Sequence, residues 1–379
     1  MNPEDSPFAE LPAAMVDEVL QQMSTVGEGL LQSLAGVRND RADYRAQMLV
    51  SKLIVHESEL GYPSLPTTCA TDGSYAVERL LTTDLAVAAA VAVEGLTPPS
   101  ERRHWEQPHH SCFIASETHH SETSTVLRAV MLGRELVLAR NAPHDLVMLD
   151  GTMTLPIIYF NQALSQSAQT PGLKCSGEFL GGAVEYLSAY ATIVESLRSD
   201  KDYVALPKYS TRREIGKTAG WPVQYDDRAL LTLVLHPGEL TKPMPLEQPS
   251  EEWHLGVRML DHQAAAELVE RIVDGLKRVY TFYYKPHAWM PALRVEVARD
   301  AALNHHRLAV IVQGLKHQCA VASMLEPYPQ YLADRTVKAL SRSIPAFRQV
   351  ATQHIAEHYA GDVSEVFLAM HGYRTETGR

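Results

Sequence analysis

The sequence is poor in the features that most often name an activity. Its four cysteines (Cys69, Cys112, Cys175 and Cys319) form no Cys-x-x-Cys pair, which disfavours both a zinc knuckle and a disulfide framework. No apolar run reaches the roughly 18–20 residues needed to span a bilayer. There is no Walker-type glycine loop, no Gly-x-Ser-x-Gly elbow and no Gly-x-Gly-x-x-Gly fingerprint, so nucleotide hydrolases, α/β-hydrolases and dinucleotide enzymes lack their usual signatures. The start, Met1-Asn2-Pro3-Glu4-Asp5, is acidic and without the basic opening of a secretory signal, so the cytoplasm is the expected compartment. Positive charge is also in deficit. Lys and Arg number 34 against 45 Asp and Glu, and a net charge of −11 suits a phosphate binder only if the basic groups gather in a groove.

What is present is an ordinary globular composition, 45% hydrophobic and 21% charged, in a chain of 379 residues. That length allows two domains or one elaborated domain. Residues 11–60 read as helical, with Leu11, Met15, Val19, Leu30, Leu34, Met48 and Leu49 among the apolar positions. Gly27, Gly29 and Gly36 are expected to divide them into two or three helices. Residues 67–118 read as two or three adjacent strands, Thr67–Tyr75, Asp84–Val93 and Ser111–Ala115, in a meander. Helices are expected at 122–140, 178–198, 261–280, 303–325 and 334–358, and strands at 145–150 and 292–298. The four prolines between Pro237 and Pro249 read as a connection.

Two aspartates stand out. Cys69-Ala70-Thr71-Asp72-Gly73-Ser74 and Leu146-Val147-Met148-Leu149-Asp150-Gly151-Thr152 each read as a buried strand ending in a carboxylate and a turn glycine. Two such strands side by side bring two acids together, and these repel unless a cation lies between them. The alternative is two separate Asp-Gly turns. Glu135 has Met131, Leu132, Leu138 and Ala139 as its helical neighbours, and an acid on an apolar stripe is costly unless coordinated or paired. A salt bridge to Arg134 or Arg128, or plain exposure, would equally explain it. Asp226 and Asp227 precede the apolar run Ala229–Leu235, where an acid is often an N-cap but could also complete a set of oxygen ligands for two hard cations. Lys208, Arg212, Arg213 and Lys217 give a local positive excess that could hold a phosphate or form a solvated loop. Arg335, Lys338 and Arg342 share one helical face. The histidines at 104, 109, 110, 119, 120, 305 and 306 show no zinc-type spacing and read as loop residues.

In order along the chain, several short motifs resemble the NurA nuclease family. They are Thr71-Asp72-Gly73-Ser74, Arg134-Glu135, Leu149-Asp150-Gly151-Thr152, Pro207-Lys208-Tyr209-Ser210, Asp227-Arg228-Ala229-Leu230-Leu231 and Pro237-Gly238-Glu239. Leu293-Arg294-Val295-Glu296 and Glu326-Pro327-Tyr328-Pro329 with Leu332 follow. The resemblance spans about residues 65–340. It implies an α/β, RNase H-like fold, a mixed sheet flanked by helices, with helical extensions at residues 1–64 and 341–379. It implies DNA cleavage as a 5′–3′ exonuclease and single-strand endonuclease, a two-ion centre favouring manganese or using magnesium, and a homodimer partnered by a HerA-type hexameric translocase in end processing. A weakly active scaffold docked on a translocase or DNA, or a nuclease directed at invading DNA, are the alternatives. Asp72, Glu135, Asp150 and Asp227 would be the ligands, with Asp226 as a rival for the last, and Lys208 a phosphate contact. Arg212, Arg213 and Lys338 would bind nucleic acid. Many relatives carry a histidine shortly after the tyrosine-proline motif, where this chain reads Leu332-Ala333-Asp334-Arg335-Thr336-Val337-Lys338. Lys338, His305 or His306 would have to take its place.

Overall fold

A computed structural model describes Phe8, residues 11–260 and residues 263–378; the acidic start Met1–Asp5 and residues 261–262 of the expected 261–280 helix lie outside the described residues. The elements run α1 (Ala13–Val50), β1 (Ile54–His56), β2 (Thr68–Arg79), β3 (Asp84–Glu94), β4 (His109–Glu117), α2 (Thr123–Asn141), β5 (Leu146–Asp150), α3 (Leu155–Gln169) and α4 (Lys174–Glu195). There follow β6 (Asp202–Leu206), α5 (Glu214–Ala219), α6 (Asp227–Val234), β7 (Glu239–Thr241), β8 (Met244–Pro245), α7 (Gln263–Lys277), β9 (Val279–Lys285) and β10 (Leu293–Ala298). The chain closes with α8 (Arg299–Ala302), α9 (His305–Gln318), α10 (Tyr328–His358), α11 (Val363–Ala369) and β11 (Arg374–Gly378).

The strands form one mixed sheet in the order β1-β7-β9-β10-β6-β5-β2-β3-β4, with β11 beside β2 and β8 beside β9. The β2–β3–β4 meander is antiparallel, as its short connections require, whereas β5 joins β2 and β6 in parallel after helical crossovers. Both faces of the centre are covered. Val147 and Leu149 pack with the α2–α4 helices, while Leu146 and Met148 pack with α9. A strand buried on both sides reads as a continuous apolar run, and Leu146–Leu149 is one.

Four expectations change. Ala13–Val50 form a single helix: Gly27 and Gly29 sit in open space, where a helical glycine weakens but does not break the run. β2 does not end at Asp72-Gly73 but continues to Arg79. Gly73 is there for close approach, since a Cβ would lie 2.5 Å from Met131 Cγ of α2. The proline-rich stretch after Pro237 carries β7, which lies between β1 and β9, and β8, a two-residue piece paired only with β9, where Pro245 is tolerated. Residues 279–285 are strand β9, not the end of a helix, because this β-branched and aromatic run pairs with β10 over six residue pairs. β1 extends the sheet beside β7, and α10 runs from Tyr328 to His358.

Candidate metal centre

Register alone sets the first two carboxylates together. Thr71 pairs with Leu149 across the parallel β2–β5 ladder, so the next position on each strand is Asp72 and Asp150. Side chains alternate between faces. Cys69 and Tyr75 of β2 enter the α2–α4 core, Ala70 packs with α9 and Ala76 with Ile344 of α10. Asp72 shares the parity of Ala70 and Ala76, and Asp150 that of Leu146 and Met148. Both therefore project toward the α9–α10 side.

Helix α10 supplies the third acid. It packs Ala333 and Val337 on Val91 and Val93 of β3, which turns Asp334 toward the strand ends. Asp72, Asp150 and Asp334 each offer an oxygen, and these atoms lie within 4.8 Å of one another. Gln330, one turn earlier, donates to Asp150 Oδ1 at 2.9 Å and to the Leu206 carbonyl at 3.3 Å. Gly151, at φ +89°, gives its N–H to the same Asp150 oxygen at 3.1 Å. Asp334 was not singled out from sequence. The signal was available: Gln330, Asp334 and Lys338 recur every four residues on one side of an otherwise apolar helix face.

Lys208 follows β6, whose Leu206 lies opposite Asp150. Its ammonium is 3.3 Å from Asp150, 3.0 Å from Glu326 and 3.2 Å from Asp334. Burial would depress this lysine, but Asp150 and Glu326 outweigh it and raise its pKa. Asp72 behaves oppositely. It is 3% exposed, its Oδ2 has no hydrogen-bond partner among the described residues, and burial followed by Asp150 pushes its carboxyl up to about 8. Glu135 is buried on α2, and burial, then Asp72 and Asp150, hold it well above the usual carboxylate range. Neither arginine expected as its partner takes that part. Arg134 pairs with Glu178, and Arg128 bonds Tyr159 and Tyr75. Glu135 thus senses both aspartates but is not one of the three whose oxygens converge.

Asp227 is placed elsewhere. Its carboxylate accepts the N–H groups of Ile215 and Gly216, at 2.7 and 2.8 Å, and so caps α5. Asp226 is the N-cap of α6, accepting from Ala229 N at 2.8 Å. Both are used by backbone, which is why neither is drawn into the cluster. Arg213 is likewise engaged, with the carbonyls of Tyr225, Trp221 and Pro222, and Arg212 reaches the Glu247 carbonyl at 3.2 Å. Lys338 lies 2.7 Å from Asp334. His305 and His306 open α9 as exposed residues and do not join the acids. A histidine pair with ligand spacing does exist, contrary to expectation, but on exposed α10: His354 and His358 with Glu357.

The arrangement is coherent as a hard-cation site. Three converging carboxylate oxygens, one of them on a buried aspartate with an unsatisfied atom, are the donor set that magnesium or manganese takes. Beside it runs a cleft of about 200 Å³ lined by Lys208, Tyr209, Arg228, Arg294, Glu326 and Gln330. Arg228, whose guanidinium gives one N–H to the Ala292 carbonyl at 3.1 Å, is a second cationic wall that sequence reasoning missed.

A second buried network fixes the turn after Asp150. Arg294, fully buried on β10, holds Glu214 with two bonds of 2.8 Å and Glu296 with one of 3.0 Å. Glu296 in turn accepts from Thr152 Oγ1 at 2.5 Å and Met153 N at 3.0 Å.

The NurA domain family model matches residues 66–305. No curated protein gives a match. Among solved structures, the NurA nuclease from Sulfolobus solfataricus aligns at a TM-score of 0.58 and 13% identity, over 92% of this chain and 99% of that one. A NurA crystal structure aligns at 0.54 and 12% identity, over 92% and 99%. A NurA bound to dAMP and manganese aligns at 0.52 and 13% identity, over 84% and 93%. At these identities the structures speak for the fold alone, a mixed sheet flanked by helices; the family model covers well over half of the sequence, and this chain therefore belongs to the NurA family.

Proposed function

We propose that the chain is a metal-dependent DNA nuclease that hydrolyses phosphodiester bonds at the Asp72–Asp150–Asp334 centre, using manganese or magnesium. The observation that carries this reading is the convergence of three aspartate oxygens within 4.8 Å, one of the three residues being the buried Asp72, whose Oδ2 has no hydrogen-bond partner among the described residues. A relative crystallised with dAMP and manganese supports the same chemistry. A bound divalent ion supplies a water of lowered pKa and draws charge from the phosphate.

The chain's own residues do the remainder. Gln330 and the Gly151 N–H fix one oxygen of Asp150, and the other lies 3.3 Å from the Lys208 ammonium. Lys208 and Arg228 sit on the cleft walls and counter the charge that accumulates on the phosphate. Glu135 lies buried beside Asp72 and Asp150 and is a further candidate ligand once an ion lowers its pKa. Contacts are to the backbone, without base readout, so binding weakens with salt. At the finer level, the reading is exonuclease and single-strand endonuclease action by a homodimer fed by a HerA-type hexameric translocase in DNA end processing. An acidic chain is a weak DNA binder that benefits from a motor.

The test is cleavage of end-labelled single- and double-stranded DNA in manganese by wild type and Asp150→Ala, with and without the translocase. Metal-dependent cleavage lost in the variant is expected. Calcium should support binding without hydrolysis. Cleavage by neither protein under any condition would leave a scaffold in its place.

A further inference from the structure

A second group of ligand-bearing side chains lies away from the acids, in the last turns of α10. His354, Glu357 and His358 are all exposed, and each offers one ligand atom within 4.8 Å of the other two. Their spacing explains the grouping, because positions i, i+3 and i+4 share one face of a helix. The rings of His354 and His358 stand 4.5 Å apart at an angle of 42°. One ring is also held in the form a metal needs. His358 Nδ1 lies 2.8 Å from the His354 carbonyl, which can only accept. Nδ1 of the neutral ring therefore carries the proton, and Nε2 keeps its lone pair for a ligand bond.

The surroundings favour a cation. Residues 349–373 contain Glu357, Asp362 and Glu365 but neither lysine nor arginine. The group also sits where the last carbonyls of α10 give the negative end of the helix dipole. Little else holds this end of the helix. Pro345 removes one rung of the hydrogen-bond ladder, Ile344 is the last buried residue of α10, and positions 345–358 are exposed or half-buried. A chelate closed over positions i and i+4 ties one turn to the next.

Two imidazoles and a carboxylate differ in kind from the all-oxygen centre of Asp72, Asp150 and Asp334. Imidazole suits zinc, whereas magnesium and manganese prefer oxygen. His354-Ile355-Ala356-Glu357-His358 also has the His-x-x-Glu-His order of one class of zinc hydrolases, in which the glutamate serves as a base. Here the face is exposed and the glutamate oxygen converges with both rings, which makes it a ligand.

We propose that His354, Glu357 and His358 form a zinc site that clips the last turns of α10, separate from the nuclease centre served by Asp334 on the same helix. Three protein ligands leave the fourth position of a tetrahedral ion to water. The site takes no part in phosphodiester chemistry and stands independently of the nuclease reading.

The test is zinc binding to the full-length protein in excess magnesium, with a chromophoric chelator as competitor. Wild type and Asp150→Ala, in which the acid centre is broken, should both bind zinc here. Adding His354→Ala or His358→Ala to Asp150→Ala should abolish that binding, and adding Glu357→Gln should weaken it at least about tenfold. The three side chains are exposed, so circular dichroism should show an unchanged fold in each case. Amide hydrogen exchange over residues 350–358 should slow when zinc is added to wild type, and not in His354→Ala. Absence of zinc from Asp150→Ala, or its retention in the added histidine variants, would overturn the proposal. So would an unchanged affinity in Glu357→Gln, which removes the carboxylate from the site, or unchanged exchange in zinc-bound wild type, which removes the clip.

Discussion

Arg294→Met tests whether the buried network is what holds the Asp150 turn. The methionine keeps much of the side-chain volume but leaves Glu214, Glu296 and the Tyr283 hydroxyl, 2.6 Å from the guanidinium, without their shared donor. Removing one partner of a buried pair costs about 3–5 kcal/mol, because the charge left behind is desolvated and alone. Unfolding entropy is about 2.1 cal/mol/K per residue, so a 379-residue chain has about 0.8 kcal/mol/K at its midpoint. The expected fall in Tm is therefore about 4–6 °C by calorimetry. A second readout is specific to the turn. Glu296 accepts from Thr152 and Met153, directly after Asp150-Gly151, so manganese affinity should fall in Arg294→Met and, with less loss of Tm, in Glu296→Gln. A Tm within about 1 °C of wild type, or an unchanged manganese affinity in both variants, would refute the reasoning.

Asp227→Ala should lower stability by about 1–2 kcal/mol, because two amide groups of α5 lose their acceptor. The manganese count should stay unchanged; a lost ion would restore Asp227 as a ligand. Gly73→Ala should destabilise by about 1–3 kcal/mol, since its Cβ would meet Met131 Cγ at 2.5 Å and the Ala89 carbonyl at 3.3 Å. Met131→Ala should recover part of that loss in a double-mutant cycle, and strict additivity would show that the clash is not the cause. Asp72 sets a pH slope in the metal-free protein. Its carboxyl is pushed up to about 8, mainly by burial and next by Asp150, against an unfolded value near 4. Its contribution to stability is thus fully present below about pH 4 and lost as pH rises through about 8. Denaturant midpoints in EDTA across that range should fall less steeply in Asp72→Asn, and an identical slope would exclude this origin.

The sequence by itself determined the local elements with strong periodicity and the acids carried on them. The meander, α2, β5 and β10 follow from alternation, apolar runs and the short spacing of turn residues, and Asp72, Glu135 and Asp150 follow from the cost of an acid in such runs. Short elements with weak local signals did not follow: β1, β6 and β7 gain their stability from the strands beside them. Asp-Gly at residues 72–73 read as a turn because glycine serves both turns and close contacts, and only Met131 across the interface distinguishes the two. The same holds for the centre. Asp227 sits in a motif-like position, yet its oxygens are taken by α5, whereas Asp334 lies some 180 residues beyond Asp150, marked only by its four-residue spacing from Gln330 and Lys338. Carboxylate chemistry is written in residue types, but which carboxylates converge is set by strand register and by the docking of α10. Those are properties of the assembled sheet, where a contact between residues distant in sequence replaces the periodicity that a local reading depends on.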